Sequence, residues 1–526
     1  MPAPMVARRE SLTAGATSAR FYLGLLGAAL LIGAVSLAVP STPSYDPWSW
    51  ILWGREIIHL KLQTTGGPTW KPLPMLFTTV FALFGKAAPD LWLMIARAGA
   101  VMASVMVFKV AMTLVRGLGT RYGSLEGSAA LLPALLAGAL AAISFVLSGG
   151  FVSDNALGYS EGLMTASVLI AVERHLDGRP RQAFAVGFAA ALDRPEIWLF
   201  WGPYGLWLFW RDPGARKLVI GLFALIPVLW FLPEYWGSGH FLRGVSRAQK
   251  PRSNSAAFAH CPFCSELVNH AWPWMLLRIK IAALIGAVTS AALLFRARAE
   301  RESWRLAGAR EHAMAAVLGA ALLGFGWFVL IAFMTQAGFS GNDRYLVLGA
   351  SLIDIVGAVV FAWGAAELAA QLIRRRRRAP LMTSAAVALL LAIYALFPNW
   401  VGNNLISIQR THGILAYQAR LRSGAEAAIA KLGGPSKVLA CGSVMTEGFQ
   451  VPMVAYDLGV PILRIEASPN TGQAVPPAPN VIFQAAANRG SHMLPSLRMW
   501  PGTRYRPVAL TKTFRVFAQC GSGASL

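Results

Sequence analysis

The stretch Ser44-Tyr45-Asp46-Pro47-Trp48-Ser49-Trp50, continued by Trp53-Gly54-Arg55-Glu56 and then by Trp70-Lys71-Pro72-Leu73-Pro74, decides how this chain is read. It follows the first long apolar segment, residues 21–39, almost directly. An acidic residue, several tryptophans and a basic, proline-stiffened turn therefore come together where a helix has just left an apolar phase. The next apolar segment, 73–84, is bracketed by Pro72, Pro74 and Gly85. At about a dozen residues it is too short for a ~30 Å hydrocarbon core, which needs ~20. It is expected, like 47–60, to be a helix lying in the membrane interface.

Composition supports a membrane setting. Of 526 residues, 56% are hydrophobic and 13% charged, with a mean hydropathy of +0.51; soluble chains carry roughly 25% charged residues. The formal net charge of +23 would point to nucleic acid in a soluble chain. In a membrane protein it reads as Lys and Arg gathered in cytoplasmic loops, where they fix orientation. If 73–84 does not cross, 91–115 runs from outside to inside. The basic connectors 116–121, 174–181, 211–217, 296–310 and 374–378 then all fall in the cytoplasm, whereas a crossing at 73–84 would turn them all outward.

The expected fold class is therefore an α-helical polytopic membrane protein with a small external α/β C-terminal domain. The spans are 21–39, 91–115, 128–148, 156–172, 183–193, 197–210, 217–233, 274–295, 313–336, 345–372 and 380–398, or about eleven crossings at the length a span requires. Residues 1–20 form a cytoplasmic N-terminus, 21–400 the transmembrane module with its external loop 41–90, and 401–526 the external domain. The basic flank before 21–39 also fits a signal peptide, but the run is long and is taken as an uncleaved first span. In the tail, 404–433 is expected as a helix, 437–440, 461–465, 481–484 and 514–518 as strands, and 445–458 as an intervening helix. All four cysteines face outward, where disulfides persist: Cys441 with Cys520 as a staple, and Cys261 with Cys264 as a small loop closure.

The residues fit to carry chemistry are ionisable groups gathered near one membrane face: Asp46, Glu56, Lys71, Arg97, Asp154, Glu161, Asp193, Arg194, Glu196 and Arg344. Charges at membrane depth are costly and mark function. A carboxylate can take the proton of an attacking hydroxyl, and Arg and Lys can hold a departing phosphate. Trp48 and Trp50 can line a sugar site or, the commoner role, anchor the loop at the interface. Asp46, Asp154 and Glu161 could also form an oxygen-rich divalent metal site. Within the spans, Lys109 is expected to snorkel to the cytoplasmic surface and Asp354 to make a structural contact.

In order and sidedness these residues resemble the glycosyltransferase C superfamily, in particular protein O-mannosyltransferases and lipid A aminoarabinose transferases. Those proteins carry an acidic residue after span one, a Lys/His-Pro-Pro-Leu turn, an apolar helix ending near Phe-Gly, and an Arg early in the next span. Here these are Asp46, Lys71-Pro72-Leu73-Pro74, Phe84-Gly85 and Arg97, and Asp154-Asn155-Ala156-Leu157 looks like the family's Asp-x-x-Leu. The chain departs in having Pro-Leu-Pro for Pro-Pro-Leu and Pro47 in place of an acidic neighbour. The resemblance covers about residues 20–235. It implies Asp46 as general base, with Lys71, Arg97 and Arg194 on the donor phosphate and Asp154 as a second acidic group; Arg194 and Arg344 match by position only. It further implies an inverting transfer of a sugar from a polyprenyl-phosphate donor to a glycan, lipid or protein acceptor at the outer face of an inner or plasma membrane. No cofactor is required beyond that optional metal ion, and nucleic acid is not a partner. Two alternatives stay open, a transporter or flippase of lipid-linked sugars and a non-catalytic envelope assembly protein.

Overall fold

The computed structural model describes residues 5–120, 127–251, 255–301, 308–376, 380–396, 398–469, 473–521 and 526. Arg121, Arg305, Arg377 and Arg378 of the basic connectors lie outside them. Each expected span is represented by a helix. These are α1 Met5–Val35, α4 Ala88–Leu118, α5 Gly127–Leu147, α7 Glu161–Leu176, α8 Pro180–Asp193, α9 Trp198–Arg211, α10 Arg216–Ser238, α11 Leu277–Arg301, α12 Gly308–Gln336, α13 Val347–Arg376 and α14 Pro380–Leu396. Between them lie α2 Tyr45–Ile58, α3 Pro72–Phe81 and α6 Phe151–Ala156, and α15 Pro398–Lys431 leads into the C-terminal domain.

Among the described residues six stretches are helical, long and apolar enough to cross a membrane, or seven if α14 and α15, bent by 61°, make one span. This is fewer than the eleven expected. The difference lies chiefly in α7, α8 and α9, whose 14 to 16 residues fall short of the ~20 that cross a bilayer unaided. α3 and α4 count together as one apolar stretch, but the turn Ala82–Ala87 separates them. There Gly85, at φ 55°, takes a backbone conformation that breaks the helical path. α3, with ten residues, does not cross by itself.

α13 is the centre of the bundle, with an almost unbroken buried run from Leu346 to Val359. Small residues let its neighbours approach: a Cβ on Gly357 would stand 2.4 Å from the Ile279 carbonyl oxygen of α11. Asp354 of α13 accepts a hydrogen bond of 2.5 Å from Ser144 of α5, a structural contact as expected. Lys109 does not snorkel freely. It pairs with Glu173, which also binds Arg174 and Tyr22, joining α1, α4 and α7. By contrast α10 exposes Ile220, Leu225, Val228 and Leu232, the apolar outer face a bilayer requires.

The C-terminal domain is a mixed sheet in the order β2-β1-β3-β6-β5, with β4 beside β3. Its strands are β1 Val444–Thr446, β2 Ile465–Ala467, β3 Val481–Ala486, β4 Met493–Leu494, β5 Arg506–Leu510 and β6 Arg515–Ala518. β2, β1 and β3 run parallel, and β6 pairs antiparallel with β3 and β5. The helix α16, Val451–Leu458, connects β1 to β2. The expected strand at 437–440 is instead the helix Pro435–Cys441. Pro435, at a helical first position, pre-sets φ for a helix and overrides the short apolar run Val438-Leu439. Both disulfides, Cys261–Cys264 and Cys441–Cys520, are formed.

One apolar cluster fuses this domain to the loop after α1. Trp48, Trp50, Trp53, Trp70 and Trp92 share a core with Leu421, Val454, Leu458, Ile465 and Phe483. The expectation of interfacial tryptophans is corrected here: Trp48, Trp50, Trp53 and Trp70 are at most 3% exposed. The central run of α2 from Pro47 to Gly54 is buried on every face, as a helix segment hydrophobic all round is. The covering comes from α16.

Candidate active site

α2 begins after Ser44, with Asp46 in its first turn, where a carboxylate is favoured by the helix dipole. The start of the helix is tied to the turn between α6 and α7. The Ser44 amide donates to the Leu157 carbonyl at 2.9 Å, the Ser44 and Tyr159 hydroxyls lie 2.9 Å apart, and the Trp92 indole donates to Gly158 at 2.8 Å. Asp46 is thereby set beside Asp154, Tyr159 and Glu161. Lys71 is the extended residue before α3, held so because the residue before a proline avoids the helical region. α3 lies so close to α2 that a Cβ on Gly54 would stand 2.4 Å from the Thr78 carbonyl oxygen. Glu234 of α10 accepts from the Trp70 amide and the Thr64 hydroxyl, both at 3.3 Å, fixing the loop that leads to Lys71.

These elements enclose a cavity of about 730 Å³, whose walls include Asp46, Trp50, Lys71, Asp154, Asp193, Arg194, Glu196 and Arg344. Residues up to 298 positions apart meet there: Arg344 Nη2 donates to Asp46 Oδ2 at 2.6 Å. Behind the wall the nearly inaccessible Glu161 is a hub. Its Oε1 is 2.8 Å from Arg194 Nη2, 3.7 Å from Arg344 Nε and 3.8 Å from Lys71 Nζ. Lys71 also stands 3.6 Å from Asp193 and donates to Ser160 at 3.0 Å, and Arg194 reaches Glu196 at 3.2 Å. The guanidinium of Arg344 stacks on Tyr159 at 3.9 Å, and that of Arg194 on Tyr345 at 3.7 Å, contacts that hold a cation by its face and leave its edge for an anion.

Burial pushes the Asp154 carboxyl up to about 7, helped by repulsion from Glu161 and Asp343 and opposed by Arg344. Its environment thus differs from that of Asp46, which is bonded by a guanidinium. Oε2 of Glu161 and of Glu196 and Nε of Arg344 are buried without a hydrogen-bond partner among the described residues, a condition that calls for a ligand or water. Asp46 and Glu161 are engaged by guanidinium groups, and no group of three or more His, Cys, Asp or Glu among the described residues is disposed to hold a metal ion.

Besides Glu161, three expected site residues stand outside the cavity walls. Arg97 donates to the Ser36 and Ala156 carbonyls and to the Ser36 and Ser41 hydroxyls, binding the end of α1 to α6. Glu56 accepts the Gln63 amide at 2.9 Å, and burial pushes its carboxyl up to about 7. Trp48 packs on Tyr456 at 5.1 Å. Other residues enter that were not singled out in the sequence: Tyr159, Tyr345, Arg247, Lys250, and Phe449 of the C-terminal domain. Arg247 donates to the Gly67 and Lys250 carbonyls, and neither it nor Lys250 is paired with a carboxylate among the described residues. The signal was present: Arg243, Arg247 and Lys250 cluster between the expected spans 217–233 and 274–295, a loop that the alternation of spans puts outside, against the charge bias that orients the rest.

No family model matches this sequence, and no curated protein matches it. Solved structures similar to it along nearly the whole chain include the following two. One is the crystal structure of ArnT from Cupriavidus metallidurans bound to undecaprenyl phosphate, 14% identical over 96% of this chain and 99% of that chain, with a TM-score of 0.47. The other is the same protein in the apo state, 14% identical over 95% of this chain and 98% of that chain, with a TM-score of 0.49.

Proposed function

We propose that this chain is a membrane glycosyltransferase of the glycosyltransferase C type, moving a sugar from a polyprenyl-phosphate donor to a cell-envelope acceptor at the outer face of the membrane. The observation that carries the reading is the meeting of the Asp46 carboxylate with the cations Lys71, Arg194 and Arg344 in a single cavity beside apolar helices. In the proposed reaction an acceptor hydroxyl attacks the anomeric carbon and gives its proton to Asp46. The bond from that carbon to the phosphate oxygen breaks, its electron pair leaves with the polyprenyl phosphate, and the configuration inverts. The cations stabilise the leaving phosphate, with Arg247 and Lys250 contributing from the loop above. The apolar wall residues Trp230, Phe231, Ile331 and Met334 suit the start of a prenyl chain.

Side-chain cations take the role a metal ion could have played, so transfer is expected to survive EDTA treatment; loss of activity restored by a divalent ion would overturn that part. The proposed orientation puts the N-terminus in the cytoplasm and residues 401–526 outside, to be checked with reporter fusions at each end. The principal test is Asp46→Asn in purified protein supplied with labelled donor and envelope extract. Transfer should fall by 10²–10⁴-fold, on the order of a lost general base, while donor binding persists. Full transfer in that variant, or movement of intact donor across the bilayer without loss of its sugar, would refute the assignment.

A further inference from the structure

The cations nearest Asp46 are already matched. Lys71, Arg194 and Arg344 face Asp46, Glu161, Asp193 and Glu196, so three positive groups stand against four carboxylates. A phosphate entering among them competes with these carboxylates for the cations that face the cavity. Breaking a buried ion pair costs about 3–5 kcal/mol, and the cost falls as water gains access to the partners, so accessibility bears on which pair opens. The side chains of Glu161, Asp193, Arg194, Glu196 and Lys71 are 1%, 0%, 5%, 7% and 11% accessible, against 14% for Arg344 and 17% for Asp46.

The Arg344–Asp46 contact is therefore the most accessible of these pairs and the one a phosphate entering the cavity reaches first. Its geometry also survives the exchange. Arg344 stays held from behind by Glu161 at 3.7 Å and by the Tyr159 ring at 3.9 Å, and Asp46 stays fixed by the first turn of α2.

We propose that Arg344 is a switch shared between Asp46 and the donor phosphate. In the empty site its Nη2 holds Asp46 Oδ2; the donor phosphate takes over Nη2, and the freed carboxylate becomes available to accept the acceptor's proton. The base is thus masked until the donor is in place, which orders the reaction with the donor first. This rests on the assignment of Asp46 and of a phosphate-linked donor made above.

The test is a binding cycle on the full chain in nanodiscs, with undecaprenyl phosphate as ligand and the uncharged polyprenol as control. Asp46→Asn removes the competing carboxylate and should tighten phosphate binding about tenfold, that is about 1.4 kcal/mol, leaving polyprenol binding unchanged. In an Arg344→Gln background the same Asp46 substitution should have no effect. Asp46→Ser and Arg344→Lys serve as second variants, with the same tightening expected for the first and a smaller coupling for the second. Unchanged or weaker phosphate binding in Asp46→Asn, or an equal shift for polyprenol, overturns the switch. If Asp46→Asn abolishes transfer without altering phosphate affinity, the switch falls and the functional assignment stands. If it transfers at the full rate, the assignment itself falls.

Discussion

Arg97 shows how a residue type can be read correctly as costly and still be placed wrongly by sequence. A guanidinium on a largely apolar helix must be satisfied, and the resemblance of its position suggested a phosphate. It is satisfied instead by backbone and hydroxyl oxygens of Ser36, Ser41 and Ala156, partners that local sequence does not bring near. Arg97→Met should therefore lower the unfolding temperature, through about 1–3 kcal/mol of unpaired acceptors. Undecaprenyl phosphate affinity should stay within twofold; a tenfold loss of affinity at unchanged stability would return Arg97 to the donor site. Asp154 gives a second expectation. Its carboxyl titrates near 7 in the folded chain and near 4 when unfolded. Between those values the folded state binds the extra proton, so this group's contribution to stability falls as pH rises from about 4 to 7. Asp154→Asn should flatten that part of the stability-against-pH curve, measured by thermal unfolding at each pH. A curve identical to the parent would show that Asp154 ionises normally.

Among the elements, α2 had the most to gain from tertiary context. Its middle, Trp48 to Trp53, is Trp-rich and uncharged and is legible as apolar, and both an interfacial helix and a buried one have that composition. The choice was made by α16 and the residues around it: Arg55 donates to the Tyr456 carbonyl at 2.8 Å and stacks on its ring at 4.6 Å, and the Tyr456 hydroxyl reaches the Gly85 carbonyl. Burying one tryptophan contributes up to about 5 kcal/mol by area, so the helix is fixed firmly enough to aim Asp46. The close crossing of α2 and α3 at Gly54 gives the element-scale prediction. Gly54→Ala would force backbone apart, with an expected cost of about 1–3 kcal/mol and a marked loss of transfer. Gly24→Ala on α1, with no heavy atom within 4 Å of the new Cβ, should change neither unfolding temperature nor transfer. Equal effects at the two glycines would count against the tight α2–α3 contact.

At the scale of the whole molecule, residues 401–526 are not a detachable module. α15 begins at Pro398 and runs across the expected boundary, and the domain shares its core with α2 and α4. Deleting 401–526 should therefore abolish undecaprenyl phosphate binding together with transfer, because Trp48 and Trp53 lose their cover. Intact donor binding after the deletion would instead make the tail a separate acceptor-recruiting part. Replacing Cys441 and Cys520 together by Ser, which opens a separation of 79 residues, should cost about 4 kcal/mol in the loop-entropy picture, read as earlier unfolding of the domain. The sequence by itself determined the helical membrane class, the helical segments, the break at Gly85 and the two cysteine pairings, because apolar length, glycine conformation and cysteine position act locally or leave few alternatives. It also marked Asp46, Lys71, Arg194 and Arg344 as candidates, because uncompensated charge beside apolar segments is conspicuous. Only the tertiary structure decided that Arg344 bonds Asp46, that Arg97 and Glu56 stand outside the cavity, and that the tryptophans between Ser44 and Pro74 are buried core. Each of those depends on contacts between segments tens to hundreds of residues apart, where the desolvation of a charge or a tryptophan is set by which distant element covers it.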